Sequence, residues 1–144
     1  MAEKRKISPA IVSFLLCLLV FLACLIIYLP ALKVGWNSDD FAYSAFFTLT
    51  FERLVHVVKM VYAGEVEWTF LRPVGYLLWR IDYIVWGENP VGFHLTNILL
   101  HCTNAVLLFS LLRAMGLNRI SSTASALFFG LYPAAVEPVV WLSG

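Results

Sequence analysis

From Ile7 to Leu32 the chain carries no charged residue. A helix rises about 1.5 Å per residue, so about 20 apolar residues cross a hydrocarbon core near 30 Å thick. This run is long enough to span a bilayer. Its flank, Lys4-Arg5-Lys6, is basic and holds the N-terminus on the cytoplasmic side. The rival reading is a cleaved signal peptide, with a lipoprotein-like Phe21-Leu22-Ala23-Cys24. Signal-peptide apolar cores run only about 7–15 residues, whereas here the run continues through Ile26, Ile27 and Leu29. An uncleaved anchor is expected. Composition agrees: 61% of residues are hydrophobic and 13% charged, with a mean hydropathy of +0.83. Soluble domains stand nearer half apolar and a quarter charged. A net charge of +1 gives no bulk attraction for nucleic acid or an acidic substrate.

Two further spans are expected, at about 91–112 and 120–133. Between them Arg113-Ala-Met-Gly-Leu-Asn-Arg119 forms a short basic turn with a glycine suited to ending a helix. If the first span leaves the cytoplasm, the second returns and this turn obeys the positive-inside bias. Residues 33–90 then face outward, with seven acidic and five basic side chains. The third span is short, so its ends are expected to pack against other helices. Within the outer loop, Leu54, Val55, Val58, Val61 and Tyr62 share one helical face, opposite Glu52, Arg53, His56 and Lys59. Leu77, Leu78, Ile81, Ile84 and Val85 repeat that pattern, with Trp79, Tyr83 and Trp86 as interfacial anchors. Both segments read as amphipathic helices lying in the membrane surface. Arg80 and Asp82 make the second a poor spanner, because a mid-membrane charge costs several kcal/mol. A crossing at residues 71–86 is the alternative. The expected fold is an all-α, polytopic transmembrane helical bundle with interfacial amphipathic helices in its first outer loop. It forms one membrane domain over residues 1–144.

Several polar residues are not explained by apolar packing. Asp39 and Asp40 follow the first span closely. Adjacent carboxylates there suit a general base, a metal ligand or both. An N-cap with an acidic first turn explains them equally well. His94, Asn97, His101 and Asn104 fall within about an 80° arc of one helix. Lipid cannot satisfy such a stripe, so it faces protein or a wet cavity. Hydrogen bonding between helices is the favoured reading for Asn97, His101 and Asn104. His94, nearest the outer surface, is the one expected to face a site. His56, on the polar face of its helix, is expected to meet only water. Glu137 returns to the outer side with Asp39 and Asp40, and Arg72 lies there too. Acids and an arginine at membrane depth suit an anionic, lipid-linked substrate, since the guanidinium fork matches phosphate. A helix-capping role is the alternative for Glu137. Cys17, Cys24 and Cys102 lack metal-ligand spacing and read as small apolar residues.

Four pieces of sequence in order carry a resemblance. They are Asp39-Asp40, then Arg72-Pro73-Val-Gly-Tyr-Leu-Leu-Trp-Arg-Ile-Asp-Tyr83, then Trp86-Gly-Glu-Asn-Pro-Val-Gly-Phe-His-Leu-Thr-Asn97 with His101, and Tyr132-Pro-Ala-Ala-Val-Glu137 through Gly144. Together they resemble the N-terminal part of polytopic membrane glycosyltransferases of the C superfamily. The kin are relatives of protein O-mannosyltransferases, including bacterial proteins bearing tetratricopeptide repeats. The resemblance implies transfer of a sugar from a polyprenyl-phosphate donor to a protein or glycan acceptor on the extracytoplasmic face. It maps the catalytic acidic pair onto Asp39 and Asp40; Arg72, His94 and Glu137 are expected to bind substrate from their placement alone. Asp40 would also be the ligand of any divalent magnesium or manganese ion. A multi-pass protein of the bacterial inner membrane is implied. Relatives commonly read His-Pro-Val-His-x-Glu where this chain reads Tyr132-Pro-Ala-Ala-Val-Glu137, without either histidine. They also continue past the point where this chain stops, so the chain alone is expected to be inactive. A non-catalytic membrane scaffold or partner subunit is the alternative function. A small transporter using the polar stripe is a third.

Overall fold

Each long helix starts at a side chain that satisfies an orphan backbone donor. In the computed structural model, which describes residues 8–37, 40, 50–65 and 73–141, Ser8 Oγ accepts from Ile11 N to begin α1 (Pro9–Tyr28). Asn89 Oδ1 accepts from Val91 N at 3.1 Å to begin α4 (Pro90–Ala114). Asn118 Oδ1 accepts from Ser121 N at 2.9 Å to begin α5 (Arg119–Leu131). Such caps contribute about 0.5–2 kcal/mol each. Between α1 and α4 lie a 3-10 turn (Leu29–Lys33), α2 (Phe51–Tyr62) and α3 (Pro73–Trp86). After α5 come a second 3-10 turn (Pro133–Ala135) and α6 (Val136–Val140).

Helices α1, α4 and α5 pack against one another, with α6 and the first 3-10 turn closing one end. Their shared core holds Val20, Cys24, Tyr28, Ala31, Ile98, Cys102, Ala105, Phe109, Ala126 and Val139. The outside is equally apolar: Phe14 is 66% exposed and Ile26 65%. Water would not tolerate such a surface, but a bilayer does. The 25-residue segments Pro9–Lys33 and Pro90–Ala114 are long and apolar enough to cross a membrane. Helix α5 alone has 13 residues, about 20 Å at the usual rise, and is too short. It continues past a 48° bend into Pro133–Val140, and the bent pair passes the same test as one broken span. The bend falls where Tyr132 turns extended, at ψ 130°, because a residue preceding proline is pushed out of the helical region.

Of the outer-loop helices, α3 differs from expectation in one of its aromatic anchors. On α3 the buried side is Tyr76, Trp79 and Asp82, while Leu77, Ile81, Ile84 and Val85 are exposed. Trp79 is therefore a core residue and not an interfacial anchor; it clusters with Tyr76 and Phe93. The aliphatic face points away from the bundle, where lipid can cover it, as in an amphipathic helix lying in the membrane surface. Arg80 sits over the Tyr83 ring at 5.7 Å, a cation–π contact. On α2, Val55, Val58 and Val61 are half-buried, and Tyr62 is exposed with His56.

Candidate functional site

The junction of the first 3-10 turn with the start of α4 gathers the polar groups that sequence reasoning singled out. Asp40 is 2% exposed and His94 fully buried. Asp40 Oδ2 accepts from Asn37 N at 2.9 Å, and Asp40 N donates to the Asn37 carbonyl at 2.9 Å. That reciprocal arrangement resembles a capping box, in which a side chain three residues on returns to the N-cap amide. The turn holds the Asp40 carboxylate on Asn37, next in sequence to Trp36, whose ring meets Phe93 beside His94 in the chain. The backbones of Gly35 and Val34 come within loose hydrogen-bonding reach of the His94 ring. Neither ring nitrogen reaches hydrogen-bond geometry with any described group. A buried imidazole left so costs free energy, and this sets His94 apart from an ordinary core histidine. Trp36 and Phe93, with ring centroids 5.0 Å apart, form apolar packing next to it.

The polar stripe on α4 is divided by its neighbours. His101 Nε2 donates to the Gly130 carbonyl at 3.0 Å; the carbonyl can only accept, so this nitrogen carries the proton. Tyr28 meets the same ring edge-on at 5.1 Å and Phe129 stacks on it at 5.4 Å. His101 therefore joins helices, as expected. Asn97 is only half-buried and Asn104 is exposed, so neither makes the inter-helix contact the arc suggested among the described residues. The arc was right, but α5 approaches one edge of it.

Glu137 is exposed on α6, next to Val136 and Val140, which line a cavity of about 290 Å³ shared with Ala31 and Val34. It stands at the His94 end of the bundle. Asp39 and Arg72 lie outside the described residues; of the other expected site residues Asp40 and His94 are buried and Glu137 is exposed. Among the described residues no three His, Cys, Asp or Glu side chains form a group that could hold a metal ion. Asp82 is a buried acid that sequence reasoning treated only as an obstacle to spanning. Thr96 Oγ1 donates to its Oδ1 at 2.6 Å. Burial raises its pKa, against the lowering effect of hydrogen bonds from Thr96 and Trp86. Its signal was available: Asp82 falls at helical spacing from Trp79 and Trp86, on the aromatic face.

These features define an α-helical integral membrane protein with a buried acid and an unpartnered imidazole at one end of its bundle. Comparison with known proteins adds the chemistry of its relatives. Over 73 residues, 51% of the chain, it is 36% identical to the Drosophila melanogaster protein named Protein O-mannosyl-transferase Tmtc1, and the match covers 8% of that protein. It is 37% identical over 87 aligned residues to human Protein O-mannosyl-transferase TMTC4, covering 51% of this chain and 12% of that one. Human Protein O-mannosyl-transferase TMTC1 is 32% identical over 74 residues, 8% of its length. The match thus spans about half of this chain and about a tenth of these relatives. Half of the chain is related to proteins named as glycosyltransferases. No protein-family model and no solved structure matches it.

Proposed function

We propose that the chain is the N-terminal membrane part of a glycosyltransferase of the C superfamily, akin to protein O-mannosyltransferases and the bacterial tetratricopeptide-repeat proteins. In this reading it works in a bacterial inner membrane with its N-terminus in the cytoplasm. It moves a sugar from a polyprenyl-phosphate donor to a protein or glycan hydroxyl on the extracytoplasmic face. The observation that carries the reading is the burial of two polar side chains, Asp40 and His94, at the end of the bundle where the first 3-10 turn meets α4. The relation to proteins named O-mannosyl-transferases supports it.

The chemistry follows from the residue types. The acceptor oxygen bonds to the anomeric carbon as the bond from that carbon to the lipid phosphate breaks. Its proton passes to the carboxylate of Asp39 or Asp40. The phosphate leaves with the electron pair and needs positive charge, which Arg72 supplies. His94 has hydrogen-bonding capacity for a sugar or phosphate oxygen, and Glu137 can accept from sugar hydroxyls. A magnesium or manganese ion on Asp40 requires more ligands than the described residues bring together.

Asn at position 39 or 40 keeps most capping ability while removing the base. Transfer from a polyprenyl-linked sugar by the folded Asp39→Asn and Asp40→Asn proteins tests the reading. One of the two is expected to fall about 100- to 10,000-fold. Parent rates in both would leave the pair as a cap. The second reading, a non-catalytic partner subunit, would then stand, and the bond from Asn37 N to Asp40 already favours it to that extent.

A further inference from the structure

At the end of the bundle away from Asp40, the start of α1, the last turn of α4 and the first turn of α5 line an open groove of about 660 Å³. Val12, Leu16 and Ile120 give it apolar walls, and Arg113, Asn118, Arg119 and Ser121 form its polar side. Both arginines are half-buried. Arg119 donates from Nε to Ser13 Oγ and from Nη2 to the Pro9 carbonyl, each at 3.3 Å. Arg113 Nη1 donates to the Leu117 carbonyl. A guanidinium carries five N–H donors, so these bonds aim the two forks and leave donors for a ligand. No acidic side chain among the described residues lines the groove.

Position along the bundle defines the ligand further. His94 and Arg113 are 19 residues apart on one helix, about 28 Å at 1.5 Å per residue. That is close to the thickness of a hydrocarbon core, so the arginines lie at headgroup depth opposite the Asp40 end. The apolar walls merge with outward apolar surface, since Ile120 is 83% exposed and Leu15 51%. We propose that this groove binds an anionic phospholipid. Its phosphate lies between Arg113 and Arg119, and its upper acyl carbons lie along Val12, Leu16 and Ile120. Guanidinium forks match phosphate oxygens. A free phosphate would leave the apolar walls unused. A phosphatidylcholine brings its own cation to a site that already holds two.

The test is a titration of the full-length protein in non-ionic detergent, followed by native mass spectrometry and thermal unfolding. The probes are palmitoyl-oleoyl phosphatidylglycerol, the phosphatidylcholine with the same chains, and inorganic phosphate. Saturable phosphatidylglycerol binding is expected, about fivefold weaker in Arg113→Gln and again in Arg119→Gln, as for a charge near a lipid headgroup. Arg113→Lys and Arg119→Lys should bind between the parent and the Gln variants, since lysine keeps the charge and loses the fork. Equal binding of phosphatidylcholine overturns the proposal, as does inorganic phosphate that displaces the lipid with the same stabilisation. So does unchanged binding in the double Gln variant, or loss only on neutralising Lys4, Arg5 and Lys6. Arg119→Gln also removes bonds to α1, so circular dichroism checks its folding. Arg113→Gln, which breaks a bond only within its own turn, decides the matter if Arg119→Gln unfolds.

Discussion

Gly130 lies where α5 meets both other long helices. A Cβ built on it would fall 2.2 Å from Cys24 Sγ and 3.3 Å from the Ala105 Cβ, so only a hydrogen fits. Gly130→Ala is expected to destabilise the bundle by about 1–3 kcal/mol, the usual range for overpacking. Adding Cys24→Ala should recover at least half of that, because it removes the clashing sulfur; detergent unfolding of the single and double variants measures the coupling. The same residue's carbonyl accepts the hydrogen bond from His101 Nε2. His101→Leu should cost about 0.5–2 kcal/mol, the range for hydrogen bonds between helices in membranes. Asn104→Leu should be neutral or slightly stabilising in this chain, since Asn104 is exposed. Equal losses in both variants would mean that Asn104 has a partner in the assembled protein. Sequence could place both residues on one arc, yet it could not say which edge of the arc a neighbour would cover.

Helix α3 shows why a periodic pattern does not by itself say which face is inside. Its aliphatic and aromatic faces are both apolar, and in a membrane protein lipid and protein compete for each. The aromatic face won because Asp82 lies on it, and a carboxyl group finds partners in protein that lipid cannot offer. Thr96 and Trp86 are those partners. The raised pKa of Asp82 carries a sign. Folded Asp82 holds its proton to higher pH than the unfolded chain, for which 3.8 is the ordinary value. Stability from docking α3 on α4 is therefore full below that value. It falls as pH rises through the raised folded pKa, and stays lower above it. Asp82→Asn should keep the Thr96 contact and flatten this dependence. Thermal unfolding from pH 4 upward, with and without the substitution, checks it; an identical slope in both proteins would place the titration elsewhere.

At the scale of the whole molecule the membrane sets sides as well as surfaces. The basic turn from Arg113 to Arg119 joins α4 to α5, with Gly116 at φ 92° taking the left-handed conformation that closes the helix. Positive charge near this turn and at Lys4-Arg5-Lys6 predicts that both face the cytoplasm. Single cysteines replacing Ser38 and Met115, in a background lacking Cys17, Cys24 and Cys102, should label from opposite sides with an impermeant thiol reagent. Labelling from one side would call for an additional crossing, with residues 71–86 the place for it.

The sequence alone determined that this is an all-α membrane protein. It did so because an uncharged run from Ile7 to Leu32 has no stable fate in water, and because backbone groups in lipid must bond within their own helix. It also singled out Asp40 and His94, since polar groups in apolar surroundings stand out by type alone. Tertiary structure decided what sequence could not: that Asp40 closes a turn on Asn37, that His101 bonds to α5 while Asn104 is exposed, and that α3 turns its aromatic face inward. Each of these depends on which helix comes to lie against which, and no local spacing encodes it. The decisive contact is the close approach at Gly130, which brings Cys24, Ala105 and His101 to one point from positions far apart in the chain.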